Sequence, residues 1–161
     1  MKRMAGKMVL VTVLVVSYFV IWRPVRVAST QHIVKPLSEY ILSGEQRGID
    51  LENSGSGVNF SIRWESGEQR HAVTYRAPAG FFFLLAIVSM VFITAEPAYY
   101  LYLLAFHLAA FSVMVLFLVA GLHSVVMGFW VLELMNVYLI PVFTMAYIPW
   151  LIYLKKSGIV K

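Results

Sequence analysis

The fold is decided by residues 78–154, which read PAGFFFLLAIVSMVFITAEPAYYLYLLAFHLAAFSVMVLFLVAGLHSVVMGFWVLELMNVYLIPVFTMAYIPWLIYL. Glu96 and Glu133 are the only charged residues in this stretch. A helix crosses a hydrocarbon core of about 30 Å with about 20 predominantly apolar residues. Polar or helix-breaking residues cluster around Glu96-Pro97 and between Gly121 and Ser124. We therefore predict three transmembrane helices, over residues 79–95, 97–120 and 125–154.

The composition of the whole chain also indicates a membrane protein. The chain has 161 residues, of which 60% are hydrophobic and 13% are charged, and its mean hydropathy is +0.78. A soluble domain is roughly 45–50% apolar and about 25% charged, and a chain this short has too little interior to bury the excess. We predict a membrane all-α fold with about four transmembrane helices and a small extracytoplasmic α+β insertion after the first.

The first transmembrane helix is predicted over residues 8–22, after a basic tail at residues 1–7. A cleavable signal peptide is the alternative, because a basic start and an apolar centre precede Val27-Ala28-Ser29. We favour an uncleaved anchor, because the apolar run ends in aromatic residues and Trp22-Arg23-Pro24, and the cleavage-site match is loose.

Residues 23–78 hold most of the remaining polar residues and are predicted to lie outside the membrane. Apolar residues at helical spacing predict an amphipathic helix within residues 29–42. Strict alternation then predicts a β-hairpin over residues 57–76, with residues 49–52 as a candidate third strand. An isolated hairpin is marginally stable, so its apolar face must pack on the amphipathic helix, the membrane or a partner. We treat this face as a candidate partner-facing surface, formed by Val58, Phe60, Ile62 and Trp64.

The positions of the basic residues predict the orientation. The two tails, residues 1–7 and 155–161, hold six of the 13 Lys and Arg residues, and such residues favour the cytoplasmic side. An even number of crossings satisfies both tails, so we predict a bacterial inner-membrane protein with both termini in the cytoplasm. The other Lys and Arg residues lie among acidic residues and form no basic stripe, which argues against nucleic-acid binding.

Four polar residues are candidates for an intramembrane polar layer, because counting along each helix places them near the midplane. Their functional interpretation is a proton or ion site in which Glu133 pairs with His107. Their structural interpretation is an interhelical hydrogen bond, or contact with another subunit. We favour the structural interpretation, since one pair is too short for a relay across a bilayer. The layer would consist of His107, Glu133, Asn136 and Ser89.

The sequence predicts no catalytic residue, no metal site and no cofactor. It has no Cys, which removes thiol catalysis and Cys-based metal sites. His123 lies at the outer end of the helix that carries His107, several turns away along its axis, which disfavours a haem between them. A membrane enzyme with a site near His71, His123 and Ser124 is a further alternative, but no third group orients a nucleophile there.

The layout also resembles the small membrane proteins that accompany exosortases, the transpeptidase-like enzymes of bacterial export systems. The resemblance rests on the order of elements and on residues 71–90, HAVTYRAPAGFFFLLAIVSM, in which Tyr75 to Gly80 lead into an apolar helix. The Cys of an exosortase active site has no counterpart here. The resemblance therefore implies an accessory protein and not the enzyme.

The leading functional prediction is a non-catalytic accessory or structural subunit of a larger membrane complex. Its expected partners are other membrane subunits and the lipid bilayer. A proton- or ion-coupled transport component using His107 and Glu133 is the first alternative, and the outer-face enzyme is the second.

Overall fold

The computed structural model describes residues 2–43, 49–53, 57–66, 69–93, 95–123 and 126–157. Within these residues the chain is mostly helical, with one small sheet. The helices are α1 (residues 2–43), α2 (Phe81–Ile93), α3 (Pro97–Leu122) and α4 (residues 126–156), and the strands are β1 (Ile49–Asn53), β2 (Asn59–Ser66) and β3 (Gln69–Arg76). By length and composition, α1, α3 and α4 are each able to cross a membrane, whereas α2 is a shorter apolar helix.

Three π-helical turns interrupt the long helices without ending them. They lie at Tyr18–Trp22 and Thr30–Val34 in α1, and at Met135–Leu139 in α4. Each turn ends two residues before a proline. In each case the residue directly before that proline donates its N–H to the carbonyl five residues earlier in the chain. These bonds run from Arg23 to the Tyr18 carbonyl, from Lys35 to the Thr30 carbonyl and from Ile140 to the Met135 carbonyl.

The wider turns explain why α1 continues past its two internal prolines. A proline lacks an N–H, and its ring clashes with the carbonyl four residues earlier. A π turn directly before the proline accommodates that ring. The segments predicted separately at residues 8–22 and 29–42 are consequently parts of one helix.

The sheet is antiparallel, in the order β1-β2-β3. It contains the predicted hairpin and the candidate third strand, while residues 67–68 of the hairpin turn lie outside the described residues. Trp64 pairs with Ile49 on one side and His71 on the other. Alternation places the apolar side chains on one face, and the opposite face carries an ion pair between Arg63 and Glu52.

The apolar face of the sheet is covered by the chain's own helices. Phe60 and Ile62 are fully buried, Trp64 is nearly so, and Val58 is half-buried. The Trp64 ring lies 4.7 Å from the ring of Phe129 on α4. The candidate partner-facing surface is therefore an internal interface, because α3 and α4 extend far enough to pack beside the strands. The buried residues that they contribute include Met114, Leu118, Leu122 and Leu132.

A second apolar cluster lies at the opposite end of the helices. It joins α2, α3 and α4 through Phe83, Met90, Leu103, Tyr147 and Leu151. Lysine side chains close this end by donating to the last carbonyls of α2, from Lys7 to Phe92 at 2.8 Å and from Lys155 to Ile93 at 2.7 Å. We call this end the basic end, and the end that carries the strands the sheet end.

Tyr75 provides a test of the packing beneath the sheet. Its side chain is fully buried, and none of the described residues forms a hydrogen bond with its hydroxyl. We expect Tyr75→Phe to raise the free energy of unfolding by about 1–2 kcal/mol, because it removes an unsatisfied buried polar group. The ring that stacks on Phe60 remains. Thermal unfolding in detergent measures the change, and Tyr40→Phe, at an exposed position, is the matched control.

The same substitution should change the response to alkaline pH. Burial raises the pKa of Tyr75, partly opposed by the positive charge of Arg26. The folded state then holds the phenol proton more tightly than the unfolded chain does. Stability from this group is present below a pH of about 10 and is lost as the pH rises further. Tyr75→Phe should remove the part of the alkaline loss of stability that comes from ionisation of this phenol. If Tyr75→Phe destabilises the protein at neutral pH, the hydroxyl has a hydrogen-bond partner and the prediction is wrong.

Candidate functional site

His107 on α3 is the most deeply buried ionisable side chain among the predicted site residues, with 3% of its surface exposed. Its Nδ1 lies 2.9 Å from the Leu103 carbonyl. A carbonyl only accepts hydrogen bonds, so Nδ1 carries the hydrogen. Nε2 lies 3.3 Å from Oγ1 of Thr144 on α4. The Thr144 hydroxyl donates at 2.6 Å to the Ile140 carbonyl, so its single hydrogen is already used.

Glu133 does not reach His107. Thr144, which does, follows Glu133 on α4 by about three turns, or about 16 Å along the helix. The reason is that α3 has 26 residues and is about 39 Å long. His107 and Glu133 were placed by counting similar numbers of residues from opposite ends of antiparallel helices. Because α3 is longer than a bilayer core, these two counts end at different levels along the helices.

The other two residues of the predicted polar layer have separate partners. Asn136 donates its Nδ2 hydrogen to the Thr74 carbonyl at 2.9 Å and so ties α4 to β3. Ser89 donates to the Leu85 carbonyl of its own helix at 2.8 Å. The structure therefore brings Asn136 and His107 to the wall of one cavity, but it does not bring the four residues together as one layer.

Arg26 on α1 is the site residue that sequence reasoning missed. Its Nε donates to the Pro78 carbonyl at 2.8 Å, and its Nη2 donates to the Ala77 carbonyl at 2.6 Å. Its Nη1 lies 3.3 Å from the Tyr18 hydroxyl. The guanidinium thereby holds the segment between β3 and α2.

The local backbone explains why this segment needs a donor from elsewhere. Pro78 has no N–H, and Ala79 has a positive φ of 59°, an uncommon conformation for a residue with a side chain. Such a segment leaves carbonyls without partners in a helix or strand. Pro78 and Gly80 signal an irregular connection in the sequence, but nothing in the sequence selects Arg26 as the residue that holds it.

Two cavities flank the guanidinium of Arg26, and Pro78, Ala79 and His107 border both of them. The larger has a volume of about 250 Å³ and the smaller about 140 Å³. Arg76, Asn136, Thr144 and the first turn of α2 complete the larger one, whereas Trp22, Leu104 and Phe111 are among the residues of the smaller one. The larger cavity joins two of the predicted residues, His107 and Asn136.

The alternative of an enzyme site at the outer face relied partly on His71, and this residue packs against two tryptophans. The His71 ring stacks at 5.3 Å on Trp64 and lies 6.5 Å from Trp130. His123 follows the end of α3, and Ser124 lies outside the described residues. Across the described part of the chain, no three His, Asp or Glu side chains are grouped so that they could hold a metal ion.

Together these features define a mostly helical protein with three helices of membrane-spanning length, a small sheet at one end and a basic cavity beneath it. No family model matches the chain, and neither does any curated protein or solved structure.

A double-mutant cycle tests the partner of His107. His107→Ala and Thr144→Val should be coupled by about 1 kcal/mol, because the two side chains are in contact. His107→Ala and Glu133→Gln should be additive within about 0.5 kcal/mol, since distant sites act independently. The free energies of unfolding of the single and double variants in mixed micelles give both coupling energies. A stronger coupling to Glu133 than to Thr144 would contradict the arrangement.

Proposed function

We propose that the chain is a non-catalytic accessory subunit of a larger membrane complex, with four spans and both termini on the cytoplasmic side of a bacterial inner membrane. The observation that carries the proposal is an uncovered apolar face on α4 at the sheet end.

The lengths of α1, α3 and α4 support a bilayer that begins at the basic end. A core of about 30 Å corresponds to about 20 helical residues. Counted from Lys7, Pro97 and Lys156, it ends near residues 27, 117 and 136. The sheet starts at this level: Gly57 packs beside Val27, and Asn136 binds the β3 backbone. The lysines of the basic end then lie on the cytoplasmic side, as the positive-inside rule favours.

The part of α4 at the sheet end exposes large apolar side chains. Met127 is 71% exposed and Trp130 is 55% exposed, while their neighbours Phe129 and Leu132 are buried against the strands. Leu134 is also more than half exposed. Soluble surfaces rarely expose a contiguous apolar patch of this kind. A partner membrane protein whose helix continues beyond the bilayer is the occupant that this face fits.

Site-specific crosslinking tests this interface. A photoreactive amino acid at position 127 should crosslink to one partner in intact membranes, and the same group at position 40, which is exposed on α1, should not. Trp130→Arg should release the partner during purification in mild detergent, because burying an unpaired charge at an interface is costly. Tyr40→Arg is the matched control and should retain it.

Several results would contradict the proposal. The first is purification of the chain alone as a well-behaved monomer. The second is the formation of crosslinks only to lipid, and the third is equal retention of the partner by both Arg variants. The likeness of residues 71–90 makes an exosortase the first partner to look for, and mass spectrometry of the crosslinked product identifies the partner directly. The transport alternative loses support, because it depended on a pair between His107 and Glu133 that the helix geometry keeps apart.

A further inference from the structure

The larger cavity holds positive charge that no acidic side chain balances. The described residues place no carboxylate within ion-pairing distance of Arg26 or Arg76, and the ion pairs they do form join Lys35 to Glu39 and Arg63 to Glu52. Arg26 is half-buried. Three of its five N–H groups meet the Ala77, Pro78 and Tyr18 oxygens, so two remain for a ligand. Arg76 is exposed at the end of β3 and reaches the same cavity.

The first turn of α2 adds backbone donors to the cavity. Its first helical bond runs from the Leu84 N–H to the Gly80 carbonyl. The N–H groups of the three preceding phenylalanines, residues 81–83, therefore have no partner within the helix. Gly80 leaves this end open, because a Cβ there would lie 3.4 Å from Nη2 of Arg26. Free N–H groups and the helix dipole both favour an anion at such a position.

His107 forms part of the wall of the cavity and is almost completely buried. Its Nδ1 hydrogen is given to Leu103, and its Nε2 lies 3.3 Å from Oγ1 of Thr144. Both ring nitrogens therefore have neighbours within the protein, and the donors toward a ligand come from the arginines and from the start of α2.

The mouth of the cavity is apolar. Phe81 and Phe82 line it and are exposed, and Ile140 and Pro141 form part of its wall. An anion that carries acyl chains would bury its charge beside the guanidiniums and lay its chains along these rings.

We propose that this cavity binds a phosphate group, with the headgroup of an anionic phospholipid as the leading source and free phosphate as the other. The guanidiniums of Arg26 and Arg76 and the start of α2 present several N–H donors toward one space, which suits the oxygens of a phosphate. The proposal does not rest on the accessory function above, because it concerns the cavity around Arg26 and not the exposed residues Met127 and Trp130.

The test uses the full chain, purified in neutral detergent, with dioleoyl phosphatidylglycerol, dioleoyl phosphatidylcholine or inorganic phosphate as separate probes. Native mass spectrometry measures lipid binding, and the midpoint of thermal unfolding measures the effect of inorganic phosphate. We expect phosphatidylglycerol to bind more tightly than phosphatidylcholine, and Arg76→Gln to weaken its binding by about tenfold, the loss of one charge-assisted hydrogen bond. Gly80→Val keeps every charge but narrows the cavity, and it should weaken binding as well.

Arg23→Gln is the matched control, because Arg23 is exposed on α1 one turn before Arg26 and does not line the cavity. It should bind phosphatidylglycerol as the unchanged protein does. If inorganic phosphate alone stabilises the protein and Arg76→Gln abolishes that effect, the site takes the free anion. An equal loss of lipid binding in Arg23→Gln and Arg76→Gln would mean general surface attraction and would overturn the proposal. So would a failure of both phosphatidylglycerol and phosphate to bind.

Discussion

Replacing Arg26 by Gln should lower the free energy of unfolding by about 3 kcal/mol, because two backbone carbonyls lose charge-assisted hydrogen bonds at once. The Ala77 and Pro78 oxygens accept these bonds at 2.6 and 2.8 Å. Arg26→Lys should recover only part of the loss, because an ammonium group cannot reproduce the planar fork of the guanidinium. Reversible unfolding in mixed micelles, followed by circular dichroism, measures these differences.

Arg23→Gln is the matched control for Arg26. The two residues are one turn apart on the same helix and carry the same charge, but Arg23 is exposed. Exposed substitutions usually change stability by less than about 0.5 kcal/mol. If Arg23→Gln and Arg26→Gln lower the free energy of unfolding by comparable amounts, stability depends on positive charge at this level of α1. The hydrogen bonds to the connection before α2 would then not be its cause.

The second large effect is expected at Gly128, where α4 crosses α3. A Cβ at this position would lie 2.6 Å from the Phe117 carbonyl oxygen and 2.7 Å from the Gly121 nitrogen. Both are backbone atoms, so a rotamer change cannot relieve the overlap and the helices must separate. We expect Gly128→Ala to destabilise the protein by about 3 kcal/mol, at the upper end of overpacking effects.

Gly6→Ala provides the control for Gly128→Ala. Nothing lies within 4 Å of a Cβ built at Gly6, and alanine is favoured over glycine in a helix by about 1 kcal/mol. This variant should therefore be neutral or slightly more stable. The same unfolding assay compares the pair. A harmless Gly128→Ala would contradict the close crossing of α3 and α4.

Patterns of hydrophobicity predicted the parts of the fold that depend on local chemistry. The apolar run after Pro78 predicted helices, and the alternation from Val58 to Tyr75 predicted paired strands, because each pattern reports which side of an element avoids water. Neither pattern says what covers the face. The apolar face of the sheet was expected to pack on the amphipathic helix, the membrane or a partner, and the C-terminal part of α1 packs against it together with α3 and α4.

The candidate site was less predictable, because it depends on levels along helices and on single hydrogen bonds. His107 was found because an ionisable residue in an apolar helix is conspicuous. Its partner was missed because Thr144 looks like any other residue of an apolar helix, and because α3 is longer than a bilayer core. Arg26 was missed because its bonds go to backbone carbonyls, which leave no trace in side-chain spacing.

The π turn at Met135–Leu139 contains one residue more than an ordinary α-helical turn would hold. Deleting a single residue from this turn would restore an ordinary α-helical repeat and rotate everything after it by about 100° relative to everything before it. Phe129 and Leu132 could keep their places under the strands only if Thr144 and Tyr147 turned away from α3. The surplus residue thus sets the phase between the two halves of the helix, and the chain tolerates a length change there only at the expense of one of its two cores.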